Sequence, residues 1–326
     1  MELRLQANKA LRLIVVSVIL ASLIVIPNVQ AGDGSGVKVN GMIQIWGQSS
    51  SDGNVPNSLF LKRSELKLSG SIIENLVGYE FLMDPASVPG AMTQDLIIYI
   101  QPSPLLRVSV GQMKYPLTRE GLEPSSQLDF IDRAMIAARE FGDRRDIGFM
   151  VSGKANIFDY SVGLFNGSGA NNIDLNDAKD FGARLVVNPF GNLSIGASTY
   201  SGSNNHLVSD TADVDRGRLG GDLQYSVSAL TVKAEYMLGN DDGLEGQGYY
   251  AGVTYLVNPK LKLATRYDVW DSDTDLDDNE ESMITIGSGY SLKGDAAKVM
   301  VNYIIHNDKG TDTKTNDILI QFQVEF

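Results

Sequence analysis

The residues of this sequence best placed to do chemistry are charged side chains that recur at every second position of strand-like stretches. Among the charged residues on the polar face of these stretches, bases outnumber acids. Guanidinium groups stay charged and offer planar donors that match oxyanions, so the pattern predicts electrostatic attraction of small anions without covalent chemistry. For any single residue, an ion pair with a neighbouring strand is the more ordinary role. The bases are Lys38, Arg63, Lys67, Arg107, Arg184, Arg216, Arg218, Lys233, Lys262, Arg266 and Lys298, and the acids are Glu65, Glu80, Asp146, Asp222, Glu235, Asp268 and Glu325.

Catalytic and cofactor sites find little support in the same sequence. It contains two histidines, His206 and His306, and no cysteine. Neither histidine is marked as the partner of a nucleophilic serine, no glycine-rich phosphate loop is present, and no Cys/His set suits zinc. We therefore expect no enzyme activity, no cofactor and no metal centre.

An acidic stretch at Asp271–Glu281 resembles a calcium site at first sight, since it holds seven acids and no base. An EF-hand calcium loop requires glycine at its sixth position and glutamate at its twelfth. Leu276 and Ser282 occupy those positions. A solvated loop is therefore the prediction, with weak binding of divalent cations left open.

The first 31 residues form a separate unit. Arg4, Lys9 and Arg12 precede the apolar run Leu13–Ile26, and Val29–Ala31 has the small-residue pattern of a cleavage site. The run has 14 residues, fewer than the roughly 20 that a membrane-spanning helix needs. We predict a signal peptide at 1–31, removed on export, and a single domain at 32–326. The net charge of −13 argues against nucleic acid as a partner, because phosphate binding needs a basic face.

The elements that must position the charged residues are strands. Apolar and polar residues alternate in sixteen stretches separated by turn residues, and short connections alternate with longer Gly/Asn/Ser-rich ones. In the last stretch, Ile318, Phe322 and Val324 take one face while Gln321 and Gln323 take the other. A soluble β-sandwich also alternates, but closing an even number of strands satisfies every backbone group within lipid. We predict an all-β, 16-stranded antiparallel transmembrane β-barrel around an aqueous lumen.

Two details of this barrel follow from the pattern. The fourth stretch, near Asp95–Gln101, is apolar on both faces, so its phase stays undecided. The apolar face should meet lipid, with aromatic residues at the two interfaces. Those aromatics would be Tyr79, Phe81, Phe149, Tyr225, Tyr236, Tyr249, Tyr255 and Tyr303.

A series of short motifs adds a family resemblance. In order they are Gly111-Gln-Met-Lys-Tyr-Pro116, Glu120-Gly-Leu122, Phe130-Ile-Asp-Arg133 and Arg145-Asp-Ile-Gly148. Together they resemble the phosphate-selective porin O and P family, and the similarity is dense over residues 60–190. The resemblance implies a trimeric bacterial outer-membrane porin whose third external loop, Leu117–Arg145 in this sequence, folds into the lumen. It also implies that the barrel-assembly machinery reads the terminal Phe326.

The functional prediction is a water-filled diffusion channel in the outer membrane of a Gram-negative type of cell, for small inorganic or organic anions such as phosphate. The alternative is a barrel without a channel, used as a surface structure or receptor. Expected surroundings are outer-membrane lipid and lipopolysaccharide. Five arginines and six acids in the third loop leave it near charge balance, which favours a general channel over a phosphate trap. The predicted pore-lining and selectivity residues are Arg63, Arg107, Lys114, Arg119, Arg133, Arg139, Arg184, Arg218 and Arg266.

Overall fold

A computed structural model describes residues 36–87, 92–139, 144–174, 176–204 and 214–326. Sixteen antiparallel strands form one closed barrel, in which each strand pairs with its neighbours in sequence and the last pairs with the first. This confirms the predicted 16-stranded barrel. The signal peptide predicted at 1–31 lies outside the described residues.

Strands account for nearly all of the regular structure, and two one-turn helices follow the fifth strand. Among the described residues, no helix is long and apolar enough to cross a membrane. The strands are β1 Lys38–Ser50, β2 Ser58–Ile73, β3 Val77–Met83, β4 Thr93–Ser103, β5 Leu106–Lys114, β6 Arg145–Ala155, β7 Phe158–Phe165, β8 Asp180–Phe190, β9 Leu193–Asn204, β10 Val214–Val227, β11 Leu230–Asp241, β12 Leu244–Asn258, β13 Leu261–Asp271, β14 Glu281–Ser291, β15 Ala297–Asp308 and β16 Thr313–Glu325; the helices are α1 Arg119–Leu122 and α2 Met135–Ala138.

The two faces of the sheet differ as the alternation predicts. In β16, Phe322 and Val324 are exposed on the outer face, whereas Gln321 and Gln323 are buried on the inner face. The same alternation shows which residues of β4 face the interior. Leu96 is exposed on the outer face, so the adjacent Asp95 points inward. Because the first and last strands pair with each other, no edge of the sheet leaves a row of backbone N–H and C=O groups unpaired in lipid.

The connections follow the predicted short and long alternation, with two exceptions. On the short-turn side, Asn75, Asn156 and Ser228 adopt positive φ in tight turns, a conformation that asparagine tolerates well. On the opposite, long-connection side, β11 and β12 are joined by Asp242 and Gly243 alone, both with positive φ. The β15–β16 connection is also short, at residues 309–312.

Aromatic side chains lie on the outer face near both ends of the strands. Tyr236, Tyr249 and Tyr267 form a row that runs from the middle of β11 toward the long-connection end of β13, with ring centroids 6.2 and 6.5 Å apart. Tyr225 and Tyr255 are exposed close to the short turns. These positions suit rings that sit at a membrane–water interface.

Candidate functional site

The connection between β5 and β6 makes the contacts that define the candidate site. We call residues 115–139 the β5–β6 segment. Its first helix, α1, is capped by Thr118, whose hydroxyl accepts from the Gly121 N–H at 3.0 Å. Glu235 on β11 accepts the N–H groups of Arg119 and Glu120, both at 2.7 Å. A carboxylate at the N-terminal end of a helix accepts from backbone N–H groups that would otherwise be unpaired. Its negative charge also interacts favourably with the positive end of the helix dipole.

A buried ion-pair network joins the segment to β13. The Arg266 guanidinium contacts Glu120 of α1 at 3.1 Å and Asp268 of its own strand at 2.8 Å. Asp268 also accepts from the Met135 N–H at 3.2 Å, and the Phe130 ring lies 4.6 Å from the guanidinium carbon. Buried charges are tolerated when they are paired and hydrogen-bonded in this way.

A second group of charges holds the middle of the segment. Asp129 contacts Lys262 at 2.7 Å and Lys233 at 2.8 Å, and Glu123 contacts Lys233 at 2.9 Å. Burial alone would raise the pKa of Asp129, but the ammonium groups of Lys262 and Lys233 outweigh it and hold that pKa below its ordinary value. Asp129 therefore stays charged under all but strongly acidic conditions.

Backbone carbonyls of the segment bind the strands that close the barrel. The Ser126 carbonyl accepts from Lys298 at 2.6 Å and from Gln323 at 3.1 Å, and the Ser125 carbonyl accepts from Gln44 at 3.3 Å. Lys114 on β5, Asp146 on β6 and Phe165 on β7 also contact the segment. In total, the segment contacts β1 and every strand from β5 to β16.

Apolar side chains fill the remaining space between the segment and those strands. Leu117, Met135 and Ile136 pack with Met237, Tyr250 and Trp270 of β11–β13. Ile131 packs with apolar residues of β1, β15 and β16. The approach is close enough that a Cβ added at Gly248 would lie 2.2 Å from Ile136.

The strands from β2 to β4 are left uncovered by these contacts, and a cavity of about 680 Å³ lies on that side of the barrel. Asp95, Lys114 and Arg145 border it at the long-connection ends of β4, β5 and β6, and Ala296 and Phe326 border it at the short-turn end. The residues that line the cavity therefore run from the long-connection ends of β4, β5 and β6 to the short-turn end of the barrel. The cavity's other lining residues include Glu65 and Lys67 on the wall and Leu122, Pro124 and Ser125 on the segment.

Three of the predicted selectivity residues lie on β2 and β5, and one of them, Lys114, lines this cavity. Arg63 donates to Gln44 at 2.8 Å, Arg107 contacts Glu80 at 2.7 Å, and Lys114 donates to the Gly121 carbonyl at 2.6 Å. Each of these three bases thus has a protein acceptor.

The other six predicted residues form ion pairs and hydrogen bonds that stabilise the segment, hold it to the wall or join neighbouring strands. Arg119 and Arg184 share the buried Asp222, at 2.8 and 2.6 Å. Arg218 pairs with Asp241 at the long-connection end of β10 and β11. Three more belong to the segment or its network: Arg133 donates to the carbonyls of Glu120 and Glu123, Arg139 pairs with Glu281, and Arg266 occupies the buried network.

The predicted set omits five charged residues that line the cavity, namely Glu65, Lys67, Asp95, Arg145 and Glu325. Lys67 and Arg145 were recognised as bases but not chosen, and Asp95 was missed because both faces of β4 are apolar. Asp95 and Arg145 form an ion pair at 2.7 Å. The inward phase of Lys67 was already visible in the alternation of β2. Within the described residues, which include the acidic stretch at Asp271–Glu281, no group of three or more His, Cys, Asp or Glu side chains could hold a metal ion.

Comparison with known proteins agrees with this architecture. A family model described as Gram-negative porin matches residues 19–311. An uncharacterized protein of Aquifex aeolicus (strain VF5) is 25% identical over 264 residues, which cover 67% of this chain and 64% of that protein. The anion-selective porin from Comamonas acidovorans has a similar fold, with a TM-score of 0.69 at 12% identity over 89% of this chain and 99% of the other. The trimer form of the outer membrane protein OmpT of Vibrio cholerae has a TM-score of 0.66 at 14% identity, over 90% and 100%.

Proposed function

Because this chain belongs to the Gram-negative porin family, we propose that the outer-membrane channel it forms conducts small hydrophilic solutes and admits anions more readily than cations. The channel would act by diffusion and would catalyse no reaction. Solute selection would come from the size of the opening and from the charges that border it.

The observation that carries the proposal is the cavity that extends along the β2–β6 side of the barrel. The β5–β6 segment would lie across the lumen and narrow it, because its contacts reach β1 and every strand from β5 to β16, which surround the enclosed space. Where the segment leaves β2–β4 uncovered, charged side chains such as Lys67 and Arg145 face the cavity. A water-filled path beside them suits hydrated solutes.

The preference for anions is supported by the bases on this side of the barrel. Arg63, Lys67, Arg107, Lys114 and Arg145 lie on β2, β5 and β6, while acids of the same wall are engaged by these bases. A wall that leans basic raises the local concentration of small anions. Phosphate is one such anion, and the resemblance of several motifs to those of the phosphate-selective porins is compatible with it, although the near charge balance of the third loop favours a general channel for small anions. The similar fold of an anion-selective porin is compatible with this assignment.

The remaining parts of the proposal concern surroundings and assembly. Export by the signal peptide at 1–31, a homotrimeric state and recognition of Phe326 by the assembly machinery are all expected of such a porin. The trimer form of a structurally similar protein supports the homotrimeric state. Lipopolysaccharide would surround the long-connection end of the barrel.

Reversal potentials across a planar bilayer with a potassium chloride gradient test the selectivity. We expect a potential that reports higher permeability for chloride than for potassium. The opposite sign would refute the anion preference while leaving the channel intact. The many bonds between the segment and the wall also favour a second candidate, a sealed barrel acting as a surface receptor, which would give no current at all.

A further inference from the structure

We infer that permeating anions follow the β2–β6 side of the barrel and that Lys67, with its partners Glu80 and Arg107, determines the charge preference. This inference rests on the proposed channel function and adds the route and the residues. It assigns the decisive role to wall residues, whereas the arginines of the segment act as anchors.

The geometry of this group leaves it with a net positive charge. Lys67 contacts Glu80 at 2.8 Å and Arg107 contacts the other oxygen of the same carboxylate at 2.7 Å, so two bases share one acid. The Arg107 guanidinium also stacks over the Tyr99 ring, 3.7 Å from its centroid, which holds it in place. Arg119 and Arg184 share Asp222 in the same manner, but they are more deeply buried.

Accessibility separates these two groups. The Lys67 side chain is 44% exposed and that of Arg107 is 26% exposed, whereas Arg119 is 16% and Arg184 only 8% exposed. An exposed charge beside a water-filled path acts directly on a passing ion. Lys67 also lines the cavity that is bordered by the long-connection ends of β4, β5 and β6 and by Phe326 at the short-turn end.

A second cavity of about 680 Å³ lies on the other side of the segment, and its structure explains why it would not conduct. It is bordered by Lys154 and by residues of the β8–β9 turn at the short-turn end, and by Arg119 and Arg184 deeper inside. Beyond these arginines, an apolar cluster that includes Tyr115, Leu117, Phe165 and Met237 is fully packed. The residues that line this cavity do not reach the long-connection ends of their strands, and an ion would have to cross the buried cluster to leave on that side.

The two cavities supply a matched pair of variants. Lys67→Glu and Lys154→Glu make the same change of charge on inward-facing lysines of the wall. Lys154 is the more exposed, at 76%, and its partner Asp159 is 3.5 Å away. If exposure to the lumen alone determined selectivity, Lys154→Glu would have the larger effect. The route along β2–β6 predicts the reverse.

The experiment measures the chloride-to-potassium permeability ratio of full-length, folded protein in planar bilayers. We expect Lys67→Glu to lower the ratio about fourfold, because two units of charge are changed within roughly 8 Å of the path, they act on chloride and potassium in opposite directions, and salt screens about two thirds of the effect over that distance. Lys154→Glu should change it by less than about twofold. Glu80→Gln should raise it, since it removes the acid that the two bases share.

The possible outcomes separate the inference from the function it rests on. A wild-type protein that passes no current would refute the channel itself. Normal current with an equal or larger effect of Lys154→Glu, or with no effect of Lys67→Glu, would refute only the route. If Lys67→Glu fails to fold, Lys67→Met and Glu80→Gln must shift the ratio in opposite directions, and shifts in the same direction would overturn the inference.

Discussion

Replacing Arg266 by glutamine should release the β5–β6 segment from the wall. Arg266 is 3% exposed, and it pairs with Glu120 and with Asp268, which are themselves almost fully buried. Glutamine keeps much of the size of the side chain but leaves both carboxylates without their cation. The change therefore acts on the attachment of α1 and α2 more than on the sixteen-stranded sheet.

The size of the effect follows from the burial of the network. Removing one partner of a buried ion pair costs about 3–5 kcal/mol, because the remaining charge is left uncompensated. At about 1.4 kcal/mol for each tenfold change in an equilibrium constant, the released state of the segment should become at least a hundredfold more populated. The Met135 N–H bond to Asp268 and the stacking of Phe130 would weaken together with the ion pairs.

Trypsin digestion of the folded protein and single-channel recording provide the assay. We expect Arg266→Gln to allow cleavage within the segment and to give a larger, noisier conductance than the wild type. Arg216→Gln is the control, since Arg216 faces inward and pairs with Asp241 at 3.5 Å on neighbouring strands. Wild-type protection and wild-type conductance in Arg266→Gln would show that the network does not hold the segment.

Two further predictions concern the segment and the β5 strand. Asp129→Asn should lower the melting temperature at neutral pH; because the pKa of Asp129 lies below its ordinary value of 3.8, the difference from wild type should persist at pH 5 and disappear only as the pH falls through that lowered pKa. Loss of the difference already at pH 5 would contradict the assignment. Gly111→Ala should reduce the yield of folded barrel by gel-shift assay, since Gly111 has φ +130° and its added Cβ would lie 2.0 Å from the Leu96 carbonyl oxygen, a strain of about 1–3 kcal/mol or more. Gly221→Ala, with its nearest contact at 3.8 Å, should fold normally, and equal yields of the two variants would refute the steric argument.

The barrel could be predicted from sequence because each strand repeats the same local rule. The face that contacts lipid is apolar and the face that lines the interior is mostly polar. The alternation in β16 or β13 therefore predicts both that the segment is a strand and which of its residues point inward. The rule fails where both faces are apolar, as in β4, and the inward position of Asp95 became clear only from burial. The tight β11–β12 turn at Asp242 and Gly243 likewise departs from the general pattern of long connections on that side.

The roles of the motif residues could not be read from sequence in the same way. Gly111 provides a backbone conformation, and Gln112 donates to the Thr93 and Gln94 carbonyls and accepts from Asn171. Glu120 pairs with Arg266, and Asp129, which directly precedes the Phe130–Arg133 motif, pairs with Lys233 and Lys262; all three bases are more than 100 positions away in the chain. The motifs thus maintain the position of the segment, and such long-range partners leave no mark in local periodicity.

The two arginine groups illustrate the same limit for the candidate site. Counting inward bases predicted a basic wall, but it could not distinguish Arg184, which is enclosed with Asp222, from Lys67, which borders the cavity. The distinction depends on which strands the segment covers. That in turn depends on contacts such as those of Ser126 with Lys298 and Gln323, which only the folded chain brings together.

The most direct test of the account is single-channel recording of the purified wild-type protein in a planar bilayer. A cavity that extends from Lys114 and Arg145 to Phe326 predicts discrete, reproducible current steps from folded barrels. Folded protein that inserts into the membrane and gives no steps would contradict the account, because the segment would then seal the barrel.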